Sequence, residues 1–191
     1  MIINESICYI FSALILLILP IDWILSAATA ALIHELFHIL SVIAVNGKIE
    51  KIHISVIGCE IETAPLGVFK SIICILAGPI GSGMLLFLRY CFPMIAVCGF
   101  FQCMYNLLPV MPLDGGRILG ILLDCFCPNK ADCVLHWCSI IVCTAIMIAG
   151  IILSSCLDEK IFLLFFCLHF NMKVLKRKIP CKDYRIGLQW Y

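Results

Sequence analysis

The chain is built largely from apolar runs, most of them about as long as a membrane crossing, separated by short polar segments. Its 191 residues are 63% hydrophobic and only 13% charged, and the mean hydropathy is +1.13. A soluble globular protein needs far more polar surface than this. The composition therefore predicts an integral membrane protein, with room for one membrane domain of about five or six spans at roughly 20 residues per span.

We predict an all-α polytopic membrane protein with six transmembrane helices. The predicted spans are residues 7–21, 24–45, 66–88, 92–108, 134–156 and 161–172. The first run is preceded by Glu5 and no Lys or Arg, so we interpret it as a span and not as a secretory signal. The basic residues after the last run place the C-terminus in the cytoplasm by the positive-inside rule. An even number of spans then places the N-terminus on the same side. We therefore divide the chain into a domain embedded in the cell membrane, residues 1–172, and a basic cytoplasmic tail, residues 173–191.

The second predicted span contains three ionisable residues within five positions, His34, Glu35 and His38, in the pattern H-E-x-x-H. Ionisable side chains are costly inside a membrane, so their presence indicates a functional site. Histidines four residues apart lie on one face of a helix and can bind a single Zn²⁺. Glu35 can then accept a proton from a water molecule at the metal, as in metalloproteases with this motif.

A segment rich in proline and glycine interrupts the fourth predicted span at residues 109–116, and an apolar helix resumes at residue 118. Irregular backbone at membrane depth is tolerated where it is buried in protein or lines a wet cavity, and hydrolysis needs water. Asp114, an acid in this segment at a depth that matches His38, is the best candidate for the third zinc ligand.

Other candidates for the third ligand remain open. His53, Glu60 and Glu62 alternate with apolar residues in a predicted β-hairpin that follows the second span. Asp22 is interpreted as an acid at the membrane interface, and His136 and His169 as packed or interfacial histidines. These last two lack a partner at the spacing of metal ligands.

The predicted hairpin covers residues 48–63, directly after Asn46 and Gly47, which are expected to end the second span. Its open edge either accepts an extended substrate peptide as an added strand or belongs to a structural loop, and the sequence leaves both alternatives open. The run Ala77–Gly83 is rich in small residues and is interpreted as a surface for helix packing.

The 14 cysteines do not indicate a disulfide scaffold, because most of them lie within apolar runs and act there as small hydrophobic residues. Cys125, Cys127 and Cys133 fall near a predicted cytoplasmic loop. A second metal site at these three residues is a minor alternative, since their spacing lacks a C-x-x-C pair.

Two motifs together resemble the site-2 protease family of intramembrane zinc metalloproteases, peptidase family M50, and within it the branch of the stage IV sporulation protein FB. They are H-E-L-F-H and, two spans later, N-L-L-P-V-M-P-L-D-G-G-R. The resemblance covers about residues 25–125 and includes A-G-P at Ala77 to Pro79. That branch usually carries a C-terminal CBS domain that senses nucleotide, and this sequence shows none.

The resemblance implies that His34, His38 and Asp114 are zinc ligands, that Glu35 is the general base, and that Asn106 holds the substrate backbone near the metal. It implies substrates that are membrane-tethered proteins, such as pro-sigma or anti-sigma factors. The expected partners are thus a tethered protein, the lipid bilayer and membrane inhibitor or activator proteins, and no nucleic acid is expected. The oligomeric state is not predicted.

Two alternative functions come from other classes. A divalent metal transporter also places His and Asp in its spans, but it needs ligands repeated along a path and often internal repeats, and the sequence shows neither. An inactive relative that only binds membrane proteins is expected to have lost Glu35 or Asp114, and both residues are present.

Overall fold

The structure is a computed structural model that describes residues 20–55 and 58–156. Within these ranges lie five α-helices and two β-strands. They are α1 (Ile21–Ala44), β1 (Ile49–Ser55), β2 (Gly58–Thr63), α2 (Val68–Met84), α3 (Pro93–Asn106), α4 (Asp114–Phe126) and α5 (Ala131–Cys156). The predicted first span (apart from its last two residues), the predicted sixth span and the basic tail lie outside the described residues.

Two of the described helical segments, Ile21–Ala44 and Val68–Leu88, are long and apolar enough to cross a membrane, and Ala131–Ile146 is a shorter apolar helix. Large apolar side chains cover their outer surfaces; Leu32 on α1 is 71% exposed and Phe69 on α2 is 77% exposed. Such a surface suits lipid better than water. These features indicate a membrane protein, and the count of six spans stays a prediction.

Helix α1 ends where the sequence predicts. Asn46 has a φ of 56°, which lies in the left-handed region that Asn and Gly tolerate best. The N–H of Gly47 then donates to the carbonyl of Val42 at 2.8 Å and closes the last turn of the helix. This turn directs the chain from α1 into β1.

Strands β1 and β2 form a two-stranded antiparallel sheet between α1 and α2. Ile52 is paired with Ile61 and His53 with Glu60, and the pairing ends at Ser55 and Gly58. At the opposite end of the hairpin, just beyond the pair of Ile49 with Thr63, the Ala64 N–H donates to the Lys48 carbonyl at 2.9 Å. The hairpin therefore leaves and rejoins the helical part of the chain at nearly the same point.

The buried face of α1 is a stripe of residues one helical turn apart. Its members are Ser26, Ala30, His34, His38 and Val42. α1 packs with this face against α2 and also contacts α3. Near the hairpin, Val42 and the α2 residues Cys74 and Ile75 form a small apolar core. Because the two histidines continue this stripe, they enter the interior of the bundle.

The segment between α3 and α4 differs from the prediction in its bounds. The prolines and glycines predict irregular backbone at residues 109–116, whereas the structure has irregular backbone at 107–113 and a regular helix from Asp114 onward. The two glycines thus lie in the first turn of α4. A Cβ on Gly115 would lie 2.2 Å from the Leu107 carbonyl oxygen, and one on Gly116 would lie 2.4 Å from the Val110 carbonyl carbon. The glycines serve the close approach of the returning chain and do not break the helix.

A serine of α5 fixes the same segment from the other side. The Met111 N–H donates to Ser139 Oγ at 3.3 Å, and the Ser139 hydroxyl donates to the Leu135 carbonyl at 2.8 Å. Val110 is fully buried beside Cys143 of α5. The path of residues 107–113 is therefore set by contacts on both sides, and it leads directly into Asp114.

Candidate metal centre

Three side chains with metal-binding atoms meet in the interior. His34 is 3% exposed, His38 is 6% and Asp114 is 4%. The Nε2 atoms of the two histidines lie 3.2 Å apart, and Asp114 Oδ2 lies 3.1 Å from His34 Nε2 and 3.3 Å from His38 Nε2. Among the residues that the structure describes, this is the one group of three or more His, Cys, Asp or Glu side chains close enough to hold a metal ion.

The three distances match the edges of a tetrahedron around zinc. Nitrogen and oxygen ligands lie about 2.0–2.1 Å from Zn²⁺ in a tetrahedral site, which places any two of them about 3.3 Å apart. The observed separations of 3.1, 3.2 and 3.3 Å are close to this value. The three atoms thus form one face of a tetrahedron and leave the fourth corner open.

The hydrogen bonds of the cluster leave acceptor atoms facing its centre, as expected at a cation-binding site. His38 Nδ1 lies 2.8 Å from the carbonyl oxygen of Cys74, and because a carbonyl only accepts, Nδ1 must carry the proton. In the neutral ring Nε2 then presents a lone pair. Asp114 Oδ2 is buried and has no hydrogen-bond partner among the described residues. Two acceptor atoms that face each other in the interior are unfavourable unless a cation lies between them.

Helix α2 approaches the histidines closely at Gly78. A Cβ at this position would lie 2.2 Å from His38 Nε2 and 2.9 Å from His34 Cε1. Only glycine leaves the required space, because any side chain would overlap the imidazole rings. Helix packing was the predicted role of this segment, and the structure shows that the packing is directly against the imidazole rings of His34 and His38.

Two charged residues flank the cluster. Arg117, one turn along α4, places NH1 3.7 Å from Asp114 Oδ1, the oxygen that faces away from the histidines. Glu35 is half-buried and interacts electrostatically with His34, His38, Asp114 and Arg117. Glu35 therefore lies beside the candidate ligands, and its role as a general base stays a prediction.

Asn106 is the last residue of α3, directly before the irregular segment that leads to Asp114. Its side-chain amide donates to the Gln102 carbonyl of the same helix at 3.1 Å. This bond fixes the amide at the entrance to the segment. The predicted contact of Asn106 with a substrate backbone stays a prediction.

Other candidates from the sequence lie elsewhere. Asp22 is exposed in the first turn of α1, 12 residues before His34, which corresponds to about 18 Å along a helix. His136 on α5 lies beside the ring of Trp137, at 6.5 Å between ring centroids, and is not part of the cluster. His169 lies outside the described residues.

The cysteines near the connection from α4 to α5 are not part of the cluster, whereas a ligand role for the hairpin candidates stays a prediction. Only the backbone of the hairpin candidates is described, and it pairs His53 with Glu60 and Lys51 with Glu62. The loop cysteines are exposed free thiols: Cys125, Cys127 and Cys133. Within the described residues, the structure brings none of these cysteines into a second group of atoms that could hold a metal ion.

Sequence reasoning missed the contribution of α2. Gly78, the carbonyl of Cys74 and the hydroxyl of Ser82 all contact the histidine rings. A backbone carbonyl leaves no trace in a sequence. The available signal was a polar residue, Ser82, one helical turn after a glycine in an otherwise apolar span.

Comparison with known proteins yields a likeness among solved structures. No protein-family model matches the chain, and no curated protein sequence matches it. Among solved structures, the site-2 protease from Methanocaldococcus jannaschii matches with a TM-score of 0.67 and 18% sequence identity. The match covers 96% of this chain and 92% of that chain. At this identity the likeness shows the fold, so the chain has a fold like that of a site-2 protease.

Proposed function

We propose that this protein is an intramembrane zinc metalloprotease that hydrolyses peptide bonds in membrane-tethered proteins. The observation that carries the proposal is the set of three buried ligand atoms on His34, His38 and Asp114, spaced 3.1 to 3.3 Å apart. The fold likeness and the two apolar helices of membrane-crossing length support it.

The ligand types favour zinc over other divalent ions. Two imidazole nitrogens and one carboxylate oxygen suit Zn²⁺, whereas Mg²⁺ and Ca²⁺ are bound through oxygen atoms and keep more ligands. Three protein ligands are typical of catalytic zinc, because the fourth position stays open for water or substrate. Structural zinc sites have four protein ligands, and no fourth His, Cys, Asp or Glu joins the group within the described residues.

The flanking residues have distinct roles in this proposal. Bound zinc supplies Lewis-acid chemistry, which activates water and polarises the scissile carbonyl. Glu35 accepts the proton of the attacking water on its carboxylate and later donates it to the leaving amine. Arg117 contacts Asp114 Oδ1, so that Oδ2 stays directed at the histidines. Asn106 holds the substrate backbone near the site, and the buried surroundings exclude bulk water.

The site's position in a chain with apolar helices of membrane-crossing length supports membrane-tethered proteins as the substrate class. A substrate helix has its carbonyls in backbone hydrogen bonds, so it must unwind locally before cleavage. In this proposal the edge of the β1–β2 hairpin, which follows α1 in the chain, binds the unwound strand. The sequence resemblance to the stage IV sporulation protein FB branch supports membrane-tethered regulators, such as pro-sigma or anti-sigma factors, as substrates. Cleavage near the cytoplasmic face would release a cytoplasmic fragment.

The test is to purify the whole chain in detergent, measure zinc per chain and compare cleavage of a tethered substrate by the wild type and Glu35→Gln. We expect about one zinc per chain in both proteins and cleavage only by the wild type, since the amide of the substituted side chain cannot accept a proton. The control is Asp22→Asn, which changes an exposed acid in the first turn of α1 and should leave both quantities unchanged.

Equal cleavage by the wild type and Glu35→Gln would overturn the protease proposal. Zinc transport across proteoliposomes without proteolysis would favour a divalent metal transporter. Substrate binding without cleavage by the zinc-loaded wild type would favour an inactive relative.

A further inference from the structure

Ser82 contacts one of the candidate zinc ligands from the opposite helix. It lies on α2 one turn after Gly78, and it is fully buried at 0% exposure. Its Oγ lies 3.3 Å from Nδ1 of His34, the ring nitrogen that faces away from the cluster. A buried hydroxyl at this position is in contact with the metal site without being a ligand itself.

The direction of this hydrogen bond follows from the other contacts of the hydroxyl. Ser82 Oγ lies 3.1 Å from the Gly78 carbonyl and 3.1 Å from the Pro79 carbonyl. Both carbonyls can only accept, so the single hydroxyl proton is directed toward them. This arrangement leaves the lone pairs of Oγ facing His34, and we assign Nδ1 as the donor of the 3.3 Å hydrogen bond. In the neutral ring this leaves Nε2 without a proton, directed at Asp114 and His38.

Each of the two histidines is thus oriented by an oxygen atom that accepts a hydrogen bond from its Nδ1. The Cys74 carbonyl accepts from Nδ1 of His38, and the Ser82 hydroxyl accepts from Nδ1 of His34. Both acceptors belong to α2. We propose that Ser82 is a positioning residue that keeps the proton of His34 on Nδ1 and thereby makes Nε2 its zinc-binding atom. This inference rests on the proposed zinc site.

Loss of the hydroxyl has a specific consequence. Without an acceptor beside Nδ1, the proton of the neutral ring is no longer held there, and the tautomer with the proton on Nε2 becomes populated. That tautomer cannot bind zinc through Nε2, so zinc binding must shift the ring back. Partners of this kind typically contribute about 10–100-fold to metal affinity, and we expect a loss of that size in Ser82→Ala.

Helix α2 offers a matched control. Ser71 is also buried, at 1% exposure, and its hydroxyl donates to the carbonyl four residues earlier, Gly67, at 3.1 Å. Ser82 makes the same bond to Gly78 at 3.1 Å. Ser71→Ala and Ser82→Ala therefore remove the same kind of buried hydroxyl and the same hydrogen bond within the helix. The contact with a histidine ring is specific to Ser82.

The experiment measures zinc affinity of the whole chain in detergent by competition with a chelator, and the unfolding temperature of each zinc-free protein. We expect Ser82→Ala to bind zinc about 10–100-fold more weakly than the wild type, and Ser71→Ala to bind it equally well. The two variants should have similar unfolding temperatures without zinc. Nitrogen-15 histidine spectra of the zinc-free proteins should show the Nδ1–H form of His34 in the wild type and a mixture in Ser82→Ala.

Three results would overturn the inference. The first is wild-type zinc affinity in Ser82→Ala, and the second is an equal loss of affinity in Ser71→Ala, which would mean that a looser helix explains the effect. The third is an unchanged His34 tautomer in Ser82→Ala. Failure of the proposed function is distinguishable, because in that case the wild type itself would bind no zinc or would not cleave.

Discussion

The two sources of the candidate zinc ligands differ in how the chain positions them. His34 and His38 lie one turn apart on α1, so the period of a regular helix sets their separation. Asp114 follows seven residues of irregular backbone, 107–113, and begins α4. Its position depends on contacts between distant parts of the chain, such as the hydrogen bond from the Met111 N–H to Ser139, two residues that are 28 positions apart.

Because of this difference, substitutions in the two regions should affect the candidate site in different ways. On α1 and α2, small changes should act on the ligands directly, because the rings contact Gly78 and Ser82 without intervening space. Around the irregular segment, changes should act first on the stability of the fold and through it on the position of Asp114. Substitutions in the two regions should therefore differ in whether zinc affinity or fold stability changes first.

Removal of a ligand should have the largest effect, whichever region supplies it. Asp114→Asn and His38→Ala each leave two protein ligands, and we expect zinc affinity to fall by more than about 100-fold in both, beyond the effect of indirect partners. Competition with a chelator measures the loss. Asp22→Asn, at an exposed acid of α1, is the control and should bind normally. Normal zinc binding by Asp114→Asn would show that Asp114, the residue that follows the irregular segment, is not a zinc ligand.

Gly78→Ala should also prevent zinc binding, although it changes no ligand. The added Cβ would lie 2.2 Å from His38 Nε2, so the ring must leave its position. Gly67→Ala is the matched control, because a Cβ at the start of α2 meets nothing within 4 Å. We expect zinc content near zero for the first variant and normal content for the second. Full zinc content in Gly78→Ala would show that α2 does not approach the rings as described.

Gly116→Ala should destabilise the fold around Asp114. A Cβ there would lie 2.4 Å from the Val110 carbonyl carbon, a backbone atom, and overpacking of this kind costs about 1–3 kcal/mol. Gly120→Ala, one turn along α4, meets only Leu135 Cδ2 at 3.4 Å and should be neutral or stabilising by up to about 1 kcal/mol. Denaturant unfolding in detergent measures both, and equal stability of the two variants would contradict the close return of the chain.

Ser139→Ala should have the smallest effect. It removes the acceptor of the Met111 N–H and should lower the free energy of unfolding by about 1 kcal/mol, with a modest loss of zinc affinity through Asp114. Thr144→Ala removes an exposed hydroxyl of the same helix that bonds only to carbonyls of α5 in the contacts described, and zinc affinity should not change. An effect on zinc affinity as large as that of Asp114→Asn would contradict an indirect role for Ser139.

The same contrast explains what the sequence could predict. Local rules of helix geometry predict that His34 and His38 share one face of α1 and that the helix ends just before Asn46. The structure agrees with both predictions. Asp114 was a candidate because an acid in an apolar setting is costly without a partner. Its proximity to the histidines required the fold.

Other features could not be read from the sequence, because they depend on contacts between distant segments. Gly115 and Gly116 were predicted to interrupt a helix, whereas they allow the chain to pass close to the first turn of α4. The two uses of glycine look alike in a sequence. The Cys74 carbonyl and the Ser82 hydroxyl orient the histidines only because α2 packs against α1 at this height.

The most direct test of the metal centre is X-ray absorption at the zinc edge of the whole purified chain. We predict four nitrogen or oxygen neighbours at about 2.0–2.1 Å, with the multiple-scattering signature of two imidazole rings and no sulfur neighbour. Sulfur at about 2.3 Å would show that zinc is bound by cysteines, and would contradict the assignment of His34, His38 and Asp114 as its ligands.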